Sequence, residues 1–218
     1  MNILAIETAT AMCSVALSIG GRTIARAEHA PRGHAGRLLP WSEALLAEAG
    51  IGFAELDGMA VGRGPGGFTS LRIGLGVAQG IALAHDLPVY PVSSLAALAL
   101  SADPVGEQNR CLALIDARMG EVFAGWFERS NGVPVALMPE SVLDPRSLSV
   151  PSGTEWLVAG SGLASYPSLV AETLAGIAVV GRPDTWPLAR DLFALAAAVE
   201  PVAAWEVEPR YVRNQVTQ

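Results

Sequence analysis

One structural plan occurs twice in this chain, and few folds can accommodate such a pattern. In ILAIETATAMCSVALSIGG (3–21) an apolar strand ends in the acid Glu7, a short turn follows, and a second strand runs into paired glycines. CLALIDARMGEVFAGWFERSNG (111–132) repeats that order, with Asp116 where Glu7 stood. Further on, MAVGRG (59–64) and WLVAGSG (156–162) are each an apolar strand ending in G-x-G ahead of a helical stretch. Spaced self-similarity of this kind indicates an internal duplication.

The remaining elements fill in the plan. NILAIET (2–8), CSVALSIG (13–20) and RTIARAEH (22–29) read as strands, with Gly20-Gly21 forming a two-residue hairpin turn. Residues 34–49 read as a helix with Leu38, Leu39, Leu45 and Leu46 on one face, ending at Gly50. DGMAVGRG (57–64) is a strand, a helix follows from about Thr69 to Ala84, LPVYPV (87–92) is a strand, and SSLAALALSA (93–102) is helical. The polar SADPVGEQNR (101–110) reads as a linker, giving lobes of 1–100 and 101–218 with the last segment packing back on the first lobe. Strand, hairpin, helix, strand, helix, done twice, is the plan of the two-lobed actin-like ATPase fold, an α/β duplication of the ASKHA, ribonuclease H-like kind. In that fold the acid-bearing turns face a nucleotide, so Glu7, Thr8, Thr10 and Asp116 are the candidate cofactor contacts. No cofactor is firmly implied; ATP or ADP at the lobe or subunit interface is the candidate. The DAR turn (Asp116–Arg118) has a second reading, a local ion pair that holds its own hairpin.

Composition narrows the function. The net charge is −7 and all 14 basic residues are arginines without a cluster, so the chain lacks the basic face needed to hold nucleic acid alone. It is 51% hydrophobic with a mean hydropathy of +0.38, which supplies a core and leaves apolar surface for a partner. Charge-free runs such as Leu87–Ala102 are short or broken by Pro88 and Pro91, so no membrane span is expected. MNILAIE lacks a basic region ahead of its apolar run, so no signal peptide and a cytoplasmic location are expected. Cys13 and Cys111 sit in strand-like runs and read as buried free thiols, in keeping with a reducing compartment.

GRGPGGFTSLRIGLGVAQG (62–80) holds seven of the 23 glycines. It is not a dinucleotide fingerprint, because Asp86 precedes the next strand instead of ending it, and not a Walker loop, because the chain has no lysine. GPGG reads as a tight strand-to-helix turn. In the helix beyond it, Ile73, Val77 and Ile81 form the expected core stripe, while Arg72, Leu75, Gly76, Gln79 and Leu83 lie opposite. Gly76 and Gly80 each cost about 1 kcal/mol relative to alanine in a helix interior. Close approach of a partner helix would offset that cost, and burial within the domain is the alternative. Arg37, Trp41 and Ala44, with Glu48, make a matching face on helix 34–49.

With these residues in view, the chain resembles the TsaB (YeaZ) family. The match is carried by ILAIETATAMCSVAL, GRGPGGFTSLRIGLGVAQGIAL, ALIDARMGEVF (113–123) and EPRYVRN (208–214). The resemblance implies a non-catalytic scaffold subunit for making threonylcarbamoyladenosine beside the anticodon of tRNAs that read ANN codons. It implies pairing with a catalytic TsaD-type paralogue through the two N-terminal-lobe helices, a TsaE-type accessory ATPase, a homodimer when alone, and tRNA contact only through the complex. The family loop G-P-G-S-F-T-G is altered here to Gly67 and Ser70, and the first acid is Glu7 where the family shows aspartate. TsaD-like proteins carry a metal-binding H-x-x-x-H; laid on it, VSSLAAL (92–98) offers Ser94 and Leu98, so no metal is expected. His29, His34 and His85 show no helical ligand pair and read as caps or surface residues. No nucleophile triad or G-x-S-x-G occurs, so no catalytic residue is expected. EPRYVRN reads as a return onto the body with Tyr211 as anchor. Rival readings are a small ATPase or kinase of the actin-like fold using the acids, and a self-sufficient homodimer with a regulatory role.

Overall fold

The computed structural model describes residues 1–152 and 155–212. The chain divides within one helix: the first unit holds Met1–Ala97 and Pro187–Arg210, and the second holds Leu98–Trp186 and, among the described residues after Arg210, Tyr211 and Val212.

The first unit is built on β1 (Ile3–Glu7), β2 (Met12–Ile19), β3 (Arg22–His29), α1 (Ala35–Ala49), β4 (Gly58–Gly62), α2 (Phe68–His85) and β5 (Val89–Val92). The dividing helix is α3 (Ser94–Ala102). The sheet order is β3-β2-β1-β4-β5, with β1 antiparallel to β2 and parallel to β4. ILAIE is apolar on both faces because β1 lies mid-sheet and is buried throughout, whereas β3, at the edge, is exposed and charged. Gly20 and Gly21 take φ of 55° and 75°, which the tight β2–β3 turn requires. Leu4, Ile6, Val15, Leu17, Met59 and Val61 face α1 and α2, which add Leu38, Leu45, Leu46, Leu75 and Ala78 to one core.

The second unit repeats the sheet. Its elements are β6 (Arg110–Arg118), β7 (Glu121–Ser130), β8 (Val133–Ala136), β9 (Ser141–Leu143), β10 (Trp156–Ala159), α4 (Ser161–Ser165), α5 (Pro167–Thr173) and β11 (Val179–Arg182). The order β8-β7-β6-β10-β11 reproduces the first sheet strand for strand, with the same antiparallel and parallel pairs. Asn131 and Gly132 (φ 50° and 83°) make the hairpin turn that Gly20 and Gly21 make in the first sheet. The duplicated two-lobe α/β architecture of the actin-like kind is thus present in the topology.

The copies differ in one respect that the sequence pattern did not reveal. Between β8 and β10 the second unit has β9 and a 3-10 turn (Pro145–Ser147) where the first has α1. Among the described residues, the long α1–α2 pair therefore belongs to the first unit alone. The chain then returns to that unit through α6 (Leu192–Ala196) and a 3-10 turn at Ala204–Glu206. No helix among the described residues is long and apolar enough to cross a membrane.

The glycines of α2 have opposite roles. A Cβ at Gly74 would lie 2.2 Å from Thr8 Oγ1, while one at Gly80 would meet nothing within 4 Å. Gly74→Ala should therefore destabilise by about 1–3 kcal/mol through overpacking. Gly80→Ala should stabilise by up to about 1 kcal/mol through helix propensity. Urea unfolding of the two variants checks the opposite signs.

Candidate partner-docking face and its anchoring loop

The residues after β1 grip the loop that starts α2. Glu7 is 0% exposed, and its Oε1 accepts from the Ala9 N–H at 2.7 Å while Oε2 accepts from the Ser94 hydroxyl at 2.8 Å. Ser94 Oγ in turn accepts from the Gly64 N–H at 3.2 Å, and the Ser94 N–H donates to Gly64 O at 2.9 Å. The Gly67 N–H donates to Ala9 O, and Thr8 Oγ1 donates to Ser70 O in the first turn of α2, both at 2.8 Å. Gly62 is glycine because a Cβ there would sit 1.9 Å from Glu7 Oε2, and Gly66 because its Cβ would sit 2.3 Å from Ala9 O. GRGPGG is thus a packed turn, its glycines set by close backbone approach.

Burial drives the Glu7 carboxyl up to about 7, opposed by the hydrogen bonds from Ala9, Ser94 and Thr8. Glu7 and Thr8, the expected cofactor contacts, are both buried and hydrogen-bonded within their own unit. Thr10 is half-buried and its Oγ1 accepts from the Met12 N–H at 3.2 Å. Asp116, in the second unit, accepts from the Arg118 N–H at 2.8 Å and pairs with the Arg118 guanidinium at 3.1 Å, as the local ion-pair reading expected. Tyr166 OH adds a contact to the same carboxylate at 3.4 Å. Among the described residues no group of three or more histidine, cysteine or acidic side chains could hold a metal ion. Cys13 and Cys111 are free and buried. His34 is buried, with Nε2 3.1 Å from Thr10 O.

On α2 the buried line is Leu71, Gly74, Leu75, Ala78, Ile81 and Ala82. Leu75, expected on the partner face, is only 3% exposed and belongs to the core, while Ile73 and Val77, expected inside, are half-buried. The reason is Gly74, whose missing side chain lets that edge of the helix settle against Thr8. Gln79 is also committed within the unit, donating through Nε2 to Ala204 O at 3.0 Å and Val207 O at 3.1 Å. Arg72, Gly76, Gly80 and Leu83 are exposed, Leu83 by 55%. The Arg72 guanidinium lies 3.6 Å from the centre of the Phe68 ring, a cation–π contact on the same exposed face. Cβ atoms at Gly76 and Gly80 would meet nothing within 4 Å, so nothing among the described residues requires glycine there.

On α1, Trp41 and Ala44 are half-buried, and Trp41 packs against the core. Arg37 reaches back to β3, with Nη2 2.6 Å from Glu28 Oε1, so it ties α1 to the sheet edge. Leu39, expected in the core, is exposed. Tyr211, expected as an anchor, is half exposed, while Arg210 N–H fastens the return to Arg63 O at 2.7 Å. Arg213 and Asn214 of EPRYVRN lie outside the described residues. The exposed Phe68 and Trp205 escaped notice in the sequence; the first adjoins the loop motif, and the second has no periodic signal around it.

Comparison with known proteins decides the family. Over 225 residues the chain is 39% identical to the tRNA threonylcarbamoyladenosine biosynthesis protein TsaB of Escherichia coli (strain K12), covering 99% of this chain and 96% of that protein. The chain belongs to the TsaB family. The Haemophilus influenzae TsaB is 34% identical over 100% of this chain and 95% of its own length. Residues 24–166 also match the family described as "TsaD: tRNA N6-adenosine threonylcarbamoyltransferase". The solved structure of YeaZ from Pseudomonas aeruginosa superposes with a TM-score of 0.89 at 40% identity, covering 96% of this chain and 99% of that one. This TsaB-family chain thus has its relatives' fold over nearly its whole length.

The Glu7 network gives a pH signature. A carboxyl that titrates near 7 when folded and near 4.5 when unfolded keeps its proton longer in the native state. Its contribution to stability is therefore lost as pH rises from about 4.5 to 7, by roughly 3 kcal/mol in all. His34, held below its ordinary value by burial, acts in the opposite sense on its own titration. The difference between wild type and Glu7→Gln isolates the acid: the variant should gain on wild type between pH 5 and 8 in urea unfolding, and a constant difference would contradict this.

Proposed function

We propose that this chain is the non-catalytic docking and activating subunit of the complex that transfers a threonylcarbamoyl group to the adenosine beside the anticodon of tRNAs reading ANN codons. Its partner is a TsaD-type catalytic subunit, bound through the exposed faces of α1 and α2. A TsaE-type ATPase joins the assembled pair, tRNA is met through the complex, and alone the same face pairs two copies. The cytoplasm, where tRNA is modified, is the setting.

The observation that carries this reading is the pair Gly76 and Gly80. Both are exposed in mid-helix, and the space above each is open. Glycine costs about 1 kcal/mol at each such position, and no neighbour among the described residues gains from it. A second helix laid across α2 would gain, since glycine lets backbones approach closely. Leu83, Phe68 and the half-buried Trp41 supply apolar surface around that line, and the Arg72 guanidinium supplies charge. With 14 arginines against 21 acids, the chain is poorly suited to hold tRNA unaided.

Gly76→Arg tests the reading in a sedimentation titration against the cognate TsaD-type protein. The substitution meets open space and favours the helix, so the variant should fold normally. Its complex should be weakened by about 2 kcal/mol or more, roughly 30-fold. Equal binding by wild type and variant would remove α2 from the interface.

A further inference from the structure

The C-terminal return adds a residue to the docking face, an inference that rests on the docking reading above. The 3-10 turn Ala204–Glu206 packs against α2, on the edge that carries Gln79. Gln79 Nε2 holds the turn at both ends through Ala204 O and Val207 O. The side chains of Ala204 and Val207 enter the core, so each has a reason within the fold. Trp205 stands between them and is 71% exposed, and its indole N–H has no hydrogen-bond partner among the described residues. Arg72, Gly76, Gln79 and Leu83 follow one another at steps of three or four residues and form the ridge of α2 beside this turn.

We propose that Trp205 is an anchor for the same TsaD-type partner, and that Gln79 is the positioning residue that presents it. Tryptophan combines a large apolar face with one donor, which suits a pocket that carries a hydrogen-bond acceptor at its rim. The surroundings favour a different chain over a second copy. Glu206 and Glu208 follow Trp205 in the chain and are exposed, and the whole chain carries −7. A basic-rimmed apolar pocket complements that edge, whereas two copies would bring like charges together. Trp205 thus continues the glycine ridge, with contact running from Gly76 and Leu83 across Gln79 onto the turn.

The test is a binding titration of the full chain against the cognate TsaD-type protein, with wild type, Trp205→Ala, Trp205→Phe, Gln79→Ala and Gly76→Arg. Trp205→Ala should weaken the complex roughly tenfold or more without lowering the melting temperature, because the side chain contributes little to the core. Trp205→Phe should recover part of the loss. Gln79→Ala should weaken binding by a smaller factor and increase hydrogen exchange at residues 203–207. If Trp205→Ala binds like wild type while Gly76→Arg does not, the anchor is wrong and the docking face stands. If both bind like wild type, the docking reading fails and the anchor with it. Loss with Trp205→Ala but not with Gly76→Arg would place the partner off α2 and overturn the continuity proposed here.

Discussion

Glu7 stands at the end of β1, shut off from water, with one carboxylate oxygen on the Ala9 N–H and the other on the Ser94 hydroxyl. Ser94 passes the connection to Gly64, and Thr8 and Ala9 fasten the first turn of α2. The direction in which α2 leaves β4 depends on this cluster, because the GRGPGG loop has almost no side chains with which to fix itself. A buried acid is expensive when charged, and here burial lifts the carboxyl to about 7. The hydrogen bonds from Ala9 and Ser94 satisfy the carboxylate. The role this geometry gives Glu7 is structural.

The glycines of residues 62–80 divide according to what lies next to them. Gly62, Gly66 and Gly74 leave no room for a Cβ, since their neighbours lie 1.9 to 2.3 Å from where it would be. They let loop and helix close onto β1. Gly76 and Gly80 face open space. One short motif therefore packs inward through one set of glycines and offers a smooth ridge outward through the other. The second unit, which repeats the sheet, has no counterpart to α1 among its described residues. Duplication of the sheet without duplication of the helix pair leaves the α1–α2 pair in the first unit alone among the described residues.

Much of this was legible in the sequence. The hairpins at Gly20-Gly21 and Asn131-Gly132, the strand-to-helix turn at GPGG and the repeat of an acid after the first strand all rest on local chemistry, and all stand in the structure. The rotation of α2 was not legible. With nearly all of its residues apolar or small, the periodicity of the helix allows more than one inward stripe, and the close approach of Gly74 to Thr8 selects Leu75 over Ile73 and Val77. Gln79 could not be assigned either, because its partners lie 125 and 128 residues further along the chain. Burial of Glu7 depended likewise on Ser94, a residue of another element. What local pattern could not supply was in each case a contact between distant segments.

The central claim is that the first unit carries the partner-binding surface on α1, α2 and the turn beside them. Hydrogen–deuterium exchange of this chain, free and bound to its TsaD-type protein, tests it most directly, because it reads every element at once. The account predicts slowed exchange in α1, α2 and residues 204–206, with β6 and β7 unchanged. Protection confined to the second unit, with α2 exchanging as in the free chain, would contradict it.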